Sequence, residues 1–516
     1  MRSIPRGYRR GCRERCGPRR ATPLGPQEST GSAPESCWIA PRRPATLNQP
    51  GRHCPGLPSG PSPSRRTRRR ARRSAMVLGM PRRLVFGYIA LAIFMTGDGF
   101  DLTFLSRYLV TQQGFTPQQA GLVLTVYGLV VAISAWTTGV LAETFGPKRL
   151  MLLGGVLWIV LHLLFLTVGV QDPVLAVLTY GLRGVAYPLF MYSFVVLIAQ
   201  STDPARLASA MGWFWAAFSI GLGTLGAFIP SLTIPAVGER ATLWIAPVFV
   251  AAGTLICLLL VPGAPRGAIS TQVLTRAERA RELLRGITIL AERPQISLAV
   301  IIRVLCNLTL YGFPLMMPLY LTGLYSDSQA WFTQTEWIRL WGVVSAIEIL
   351  TNILWGRLGD RYGWMRQMRW FGFGGMAIAT LGFGYVPHLF GDSLVMMYAA
   401  GILFAVSVTA FVPMGAIFPA LAPEHRGAAI SAHNLASGLT TFIGPGIVTL
   451  FQPLVGSLGV IWIFAGLMVL GTLTTLVIRP PQPGITDADG RPLTRAERRA
   501  RRHTSAAPEA DLIGAV

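Results

Sequence analysis

The sequence predicts an all-α membrane protein whose twelve transmembrane helices form two six-helix repeats. Three observations lead there. Apolar runs of ~20 residues or more recur from Leu84 onward. Positive charge gathers on one side of them, and landmark motifs return after 217–219 residues. Composition agrees: the 516 residues are 51% hydrophobic and only 13% charged, too little charge to cover the surface of a water-soluble chain of that length.

Residues 1–75 stand outside this plan. They hold 18 Arg against 3 Glu, which is +15 of the whole chain's +23. Rich in Arg, Pro, Gly and Ser and lacking an apolar run long enough to pack, this extension is expected to be disordered. It has no secretory apolar stretch, and the expectation is that translation begins at Met76 or Met80. An arginine tail on anionic lipid or nucleic acid is the alternative. Because most of the charge lies in this segment and the remaining chain is only modestly basic, nucleic acid is not an expected partner of the rest. Cys12, Cys16, Cys37 and His53 match no zinc spacing, so no metal is expected. Cys257 and Cys306 fall in apolar stretches, where they act as small hydrophobes.

The expected spans lie near 84–109, 117–141, 148–169, 173–200, 206–231, 241–262, 295–322, 335–357, 366–386, 393–421, 427–454 and 457–478. In lipid their backbones are satisfied only as helices. They divide the chain into a first half (84–262), a linker (263–294), a second half (295–478) and a tail (479–516). Arg82, Arg83, Lys148, Arg149, Arg361, Arg366 and Arg426 fall on one side, together with the linker's Arg276, Arg279, Arg281 and Arg285. The opposite loops carry little beyond Asp172, Arg240, Asp327 and Asp392. The excess of positive charge places both termini in the cytoplasm of a cell-membrane protein and requires an even number of crossings.

Duplication is written in two landmarks. Gly139-Val-Leu-Ala-Glu143-Thr-Phe-Gly146-Pro-Lys148-Arg149 follows the second span, and Gly356-Arg-Leu-Gly-Asp360-Arg361-Tyr-Gly363 follows the eighth. The hexapeptide Leu-Thr-Arg-Ala-Glu-Arg occurs at 274–279 and again at 493–498, after each half. Two parallel six-helix repeats are a known transporter plan.

Five charges fall inside apolar spans: Asp98 and Asp101 in the first, Arg183 in the fourth, Arg303 in the seventh and Glu348 in the eighth. Each costs roughly 2.5–3.5 kcal/mol at mid-membrane on insertion scales, so such residues face a cavity or a partner. Asp98 and Asp101 share a helix face, and two carboxylates in a poorly hydrated site cannot both ionise cheaply. Asp98 is expected to carry a proton and Arg183 to be its switching partner, with Asp101 a second candidate. The alternative is a static ion pair at Asp98 and a helix-end cap at Asp101.

Polar–aromatic stripes continue the pattern. Tyr180, Arg183 and Tyr187 share one face, with Pro188 able to kink that helix. Arg303, Asn307 and Tyr311 recur every four residues, and Trp341, Ser345, Glu348 and Asn352 follow helical spacing. Such stripes fit a wet cavity between the halves. Tyrosines, indoles and amides suit a polyhydroxylated solute, whose hydroxyls need donors and acceptors while its C–H faces pack on rings. Tyr127, Trp213, His433 and Asn434 are further candidates. For the aromatics the competing reading is helix packing, and for Arg303 and Glu348 a structural pair. Glycines 212, 221, 223 and 226 predict close helix contact, and Gly444-Pro445-Gly446 predicts a break. Gly221-x-Gly223-x-x-Gly226 spells a nucleotide fingerprint but lies inside a span and follows no strand. No Walker motif or catalytic constellation is present, so neither a cofactor nor an enzymatic role is expected.

The paired Gly-x-Leu-x-(Asp/Glu)-x-x-Gly loops resemble the signature of the major facilitator superfamily. The resemblance implies a cytoplasmic latch, with Glu143 and Asp360 as acids and Arg361 as a base. The first copy departs from the pattern at Glu143, Thr144 and Pro147. Over residues 90–478 the chain is similar to the polyol permeases. The strings that carry this are Gly97-Asp98-Gly99-Phe100-Asp101, Leu124-Thr-Val-Tyr127-Gly, Tyr180-Gly-Leu-Arg183-Gly, Tyr187-Pro-Leu-Phe190 and Met211-Gly-Trp213-Phe-Trp215. Thr335-Glu-Trp-Ile-Arg-Leu-Trp341-Gly, Phe411-Val-Pro and Leu421-Ala-Pro-Glu424 support it in the second half. That likeness implies import of a pentitol such as ribitol or D-arabinitol with protons, by a monomer in membrane lipid. Small-organic-anion transport on Arg183 and Arg303, multidrug efflux and a non-transporting receptor are the alternatives.

Overall fold

A computed structural model describes residues 76–77, 80–202, 207–263, 288–482, 485–487, 491 and 493. The extension 1–75, most of the linker and the hexapeptides, Leu493 apart, lie outside the described residues. Those described are almost wholly helical; a two-residue pairing of Met76–Val77 with Met80–Pro81 precedes the first helix.

Local signals set where helices begin. Pro117, Pro147, Pro173 and Pro294 each open a helix at its first turn, where the missing N–H costs nothing. Thr116 with Gln119, and Thr333 with Glu336, form reciprocal capping boxes. Asp172 accepts from the amides of Val174 and Leu175. Among the described residues, nine helices are long and apolar enough to cross a membrane.

Two of these nine, Ala210–Leu260 and Ala428–Val477, are about twice the needed length. Each contains one glycine off the helical path, Gly238 (φ 85°, ψ 166°) and Gly456 (φ 72°, ψ 177°), a conformation other residues rarely adopt. The chain turns back there. Thr242 donates to the Thr233 hydroxyl at 3.0 Å, although nine residues of continuous helix would separate them by roughly 13 Å. A Cβ at Gly312 would touch both the Phe464 ring and the Gly444 carbonyl, positions on the order of 30 Å apart along an unbroken helix. The break expected at Gly444-Pro445-Gly446 is absent. The backbone stays helical through Pro445, and Gly444 instead admits the Leu308 carbonyl of the seventh stretch.

The duplication is visible in the backbone. Gly146 (φ 90°, ψ 130°) and Gly363 (φ 100°, ψ 130°) hold the same turn 217 residues apart. The capping boxes are also 217 apart (333 − 116), and the turning glycines 218 (456 − 238). The seams between halves follow the same exchange. A Cβ at Gly128 of the second span would lie 2.0 Å from the Thr441 carbonyl of the eleventh. A Cβ at Gly223 of the fifth would lie 2.4 Å from Ser345 Oγ of the eighth, and 345 and 441 are 217 and 218 beyond 128 and 223. Only glycine allows such approaches.

Four stretches are interrupted, and they are the first, fourth, seventh and tenth: Val85–Gly99 with Leu105–Gln113, Pro173–Arg183 with Ala186–Ser201, Pro294–Leu305 with Leu308–Leu321, and Leu394–Thr409 with Met414–Leu421. The break in the fourth comes at Gly184-Val185, ahead of the proline expected to cause it.

Candidate functional site

The first stretch carries Gly97-Asp98-Gly99, and the two glycines explain where the acids sit. A Cβ at Gly97 would lie 2.6 Å from the Ala246 carbonyl and one at Gly99 2.1 Å from the Leu222 carbonyl. The fifth and sixth spans therefore press on both sides of Asp98. Beyond Gly99 the helical ladder gives way to short turns, with Leu102 bonding back to Gly99 and Phe104 to Asp101. Asp101 lies inside this break. Gly184 plays the matching part in the fourth span: a Cβ there would meet the Tyr127 carbonyl at 2.6 Å, so the second span lies directly over Arg183.

The charged cluster is buried. Arg183, 1% exposed, donates through Nη1 to Asp101 Oδ2 at 2.7 Å and to His162 Nδ1 at 2.7 Å. Its guanidinium lies 4.2 Å from the Tyr180 ring centre, 4.7 Å from Trp158 and 5.5 Å from Tyr127, distances at which ring quadrupoles attract a cation. Asp98 Oδ1 accepts from Trp158 Nε1 at 2.6 Å. The expected pairing is thus corrected: Arg183 takes Asp101, and Asp98 takes an indole. The interruption after Gly99 swings Asp101 toward the fourth span, which a spacing rule for unbroken helix does not foresee. Trp158 and His162 escaped the sequence reading because one Trp and one His in an apolar span look like core; their i, i+4 spacing was the available signal.

A cavity opens onto this cluster. Asp98, Asp101, Tyr127, Tyr180, Arg183 and Tyr187 from the first half line it, as do Tyr311, Pro314, Thr441 and Pro445 from the second. Seven of the sequence candidates therefore meet on one wall. Trp213, Arg303, Asn307, Trp341, Glu348, Asn352, His433 and Asn434 are not among its lining residues.

Arg303 sits in a second polar group, with Cys306, Asn307 and Ser437. Arg303 donates to Ser437 Oγ at 2.7 Å and to Cys306 Sγ at 3.3 Å. The Asn307 amide, with its oxygen turned toward Arg303, accepts from Nη1 at 3.2 Å. Glu348 Oε1 is buried without a hydrogen-bond partner, and among the described residues Arg303 and Glu348 form no ion pair. Trp341 is 2% exposed and packs against Trp337 and Phe404. His433 meets the Phe418 ring edge-on and lies 3.4 Å from Asn434 Oδ1.

One end of the molecule is fastened between halves. Arg107 Nη1 donates to Glu239 Oε1 at 2.6 Å and also to Gln334 Oε1 of the second half, while Trp337 Nε1 donates to the Thr103 carbonyl at 3.0 Å. The landmark turns lie at the other end. The side chains of Glu143 and Asp360 are outside the described ones. Lys148 is engaged within its own half, donating to the carbonyls of Leu258 and Val261 at 2.9 and 2.6 Å, where a cation suits a helix C-terminus. Arg149 and Arg361 are exposed, and Cβ atoms at Gly139 or Gly356 would meet no described neighbour within 4 Å.

Residues 86–411 and 333–508 match the family model described as Major Facilitator Superfamily. The chain is 43% identical over 421 residues to a ribitol transporter of Klebsiella pneumoniae, covering 81% of this chain and 96% of that one. It is 43% identical over 411 residues to a D-arabinitol transporter of the same organism, covering 79% and 95%. The solved nucleoside transporter NupG shares the fold at a TM-score of 0.57 and 16% identity, over 78% of this chain and 99% of that one.

Proposed function

The chain belongs to the Major Facilitator Superfamily, and we propose that it imports a pentitol, ribitol or D-arabinitol, together with protons. Twelve crossings, both termini in the cytoplasm and a monomer in the cell membrane complete this reading. The relatives named for these two pentitols support the solute class. The cavity supports it chemically: four tyrosines offer hydroxyls that both donate and accept, and ring faces that take C–H groups.

The observation that carries the proton is a charge count. Asp98, Asp101 and one arginine share a buried site whose histidine accepts from that arginine. With both carboxylates ionised the site would bury an uncompensated negative charge, which is costly. One proton balances it. Asp101 already has Arg183, so the proton belongs on Asp98, whose carboxyl also faces the cavity. Loading and unloading it changes the site's net charge and so biases the two access states. The fastening at Arg107, Glu239 and Gln334 supports a closed outer mouth, with the cavity serving the cytoplasmic side.

Organic-anion transport has less support. Arg183 is already neutralised by Asp101, and Arg303 donates to neutral groups off the cavity wall. Uptake into proteoliposomes tests the reading. Labelled ribitol and D-arabinitol are expected to accumulate under an inward proton gradient, with unlabelled pentitols competing and dicarboxylates not. Competition by dicarboxylates alone would overturn the solute class.

A further inference from the structure

His162 lies behind the cavity wall. It is fully buried and absent from the cavity lining, stacked on Trp158 with ring centres 4.4 Å apart and planes at 18°. Both ring nitrogens are in use. Nδ1 accepts from Arg183, so it carries no proton, and Nε2 donates to the Leu243 carbonyl of the sixth span at 3.1 Å. This fixes one neutral tautomer. A second proton would set an imidazolium against the guanidinium at hydrogen-bond distance in a buried site.

We propose that His162 is a positioning residue that anchors Arg183 to the sixth-span backbone, so that Asp101 is the partner that moves. This rests on the transport reading above. Arg183 is held by His162 and Trp158 of the third span, by Tyr180 of its own helix and by Tyr127 of the second. Its bond to the first span is Asp101, which sits where the helical ladder of that span is interrupted. Four contacts fix the arginine, and the element opposite them has a built-in break. When the charge at Asp98 changes, the segment around 100–104 is therefore the side that shifts, releasing its bond from Trp337 to the Thr103 carbonyl, while the guanidinium stays. Among the described residues the charged group in contact with His162 is Arg183, which itself bonds Asp101, and the sixth span presents the Leu243 carbonyl.

Two substitutions test this. Gln at 162 can accept from Arg183 and donate to Leu243, whereas Phe fills the space and does neither. His162→Gln is expected to keep the pentitol KM, the pH profile and most of the rate. His162→Phe is expected to lower Vmax by roughly tenfold to a hundredfold with little change in KM, because a buried guanidinium loses an acceptor, and to change the pH profile as Arg183 shifts against Asp98. Wild-type rates in the Phe variant would overturn the anchor. Loss of gradient-driven accumulation with intact exchange in the Gln variant would make His162 the proton carrier and equally overturn it. A readout independent of solute is the ¹⁵N spectrum of histidine-labelled protein, with the His162 signals identified by their absence in His162→Gln. A neutral Nε2–H tautomer from about pH 5 to 8 is expected. Protonation of the His162 ring within that range would sink the proposal even if the solute assignment were right, and a fixed tautomer with no pentitol uptake would fault only the solute.

Discussion

The two halves share a backbone plan and differ in how they hold their buried arginine. Arg183 is charge-paired: a carboxylate, a histidine and three rings surround it within one half, with its Nε left unbonded. Among the described residues Arg303 has only neutral partners, Ser437, Cys306 and Asn307, and Glu348 of the same half leaves one buried oxygen unbonded. A paired cluster can store and exchange charge, whereas a cation among neutral partners has no carboxylate to exchange a proton with. Duplication copied the turns and seams; it did not copy the chemistry.

The contrast is broken most severely by Arg183→Leu. Removing one member of a buried pair leaves Asp101 uncompensated, at about 3–5 kcal/mol. The purified variant is expected to lose thermal stability and all uptake. Adding Asp101→Asn is expected to restore most of the stability and none of the gradient response. Arg303→Leu strands no paired carboxylate, so its stability loss should be the smaller of the two; an equal loss would erase the distinction between the halves.

The seams come next in size. Gly128→Val would drive a side chain into the Thr441 carbonyl, and overpacking of this kind costs about 1–3 kcal/mol. Gly139→Ala, at a position with no described neighbour within 4 Å, is expected to stay within ~0.5 kcal/mol of wild type. Thermal unfolding of both variants side by side checks that only the seam glycine is constrained.

The smallest effect sharpens the solute side. Glu348 lies off the cavity lining, so Glu348→Gln, which removes the carboxylate while keeping its shape, should change the pentitol KM by no more than about twofold. Dependence on the proton gradient should be unchanged, and a flattened gradient response would move the proton site into the second half.

Most of the plan was legible before any coordinates. The apolar lengths located the helices within a few residues, and the repeat glycines at 146 and 363 marked turns that prove to be the same turn. Asp98, Asp101, Arg183 and the tyrosines of the fourth and seventh stretches were found because polar groups in lipid need a reason. The pairing among them was not legible. Spacing puts Asp98 and Asp101 on one helix face, but the interruption after Gly99, set by the close approach of the fifth and sixth spans, decides which one meets the guanidinium. Trp158 and His162 were missed for the opposite reason, since an aromatic pair in an apolar run reads as core until its nitrogens are seen to point at charges. Trp341 sat on a stripe with polar residues, yet its own half buries it against Trp337 and Phe404.

The central claim is that proton and pentitol cross together through the cavity at Asp98. It is tested most directly by recording the pH of a weakly buffered medium around proteoliposomes when ribitol or D-arabinitol is added, for wild type and Asp98→Asn. The account predicts alkalinisation of the medium by wild type as protons enter with the solute, and none by the variant, which still exchanges labelled pentitol. Alkalinisation persisting in Asp98→Asn, or pentitol entry by wild type with no proton movement, would contradict it.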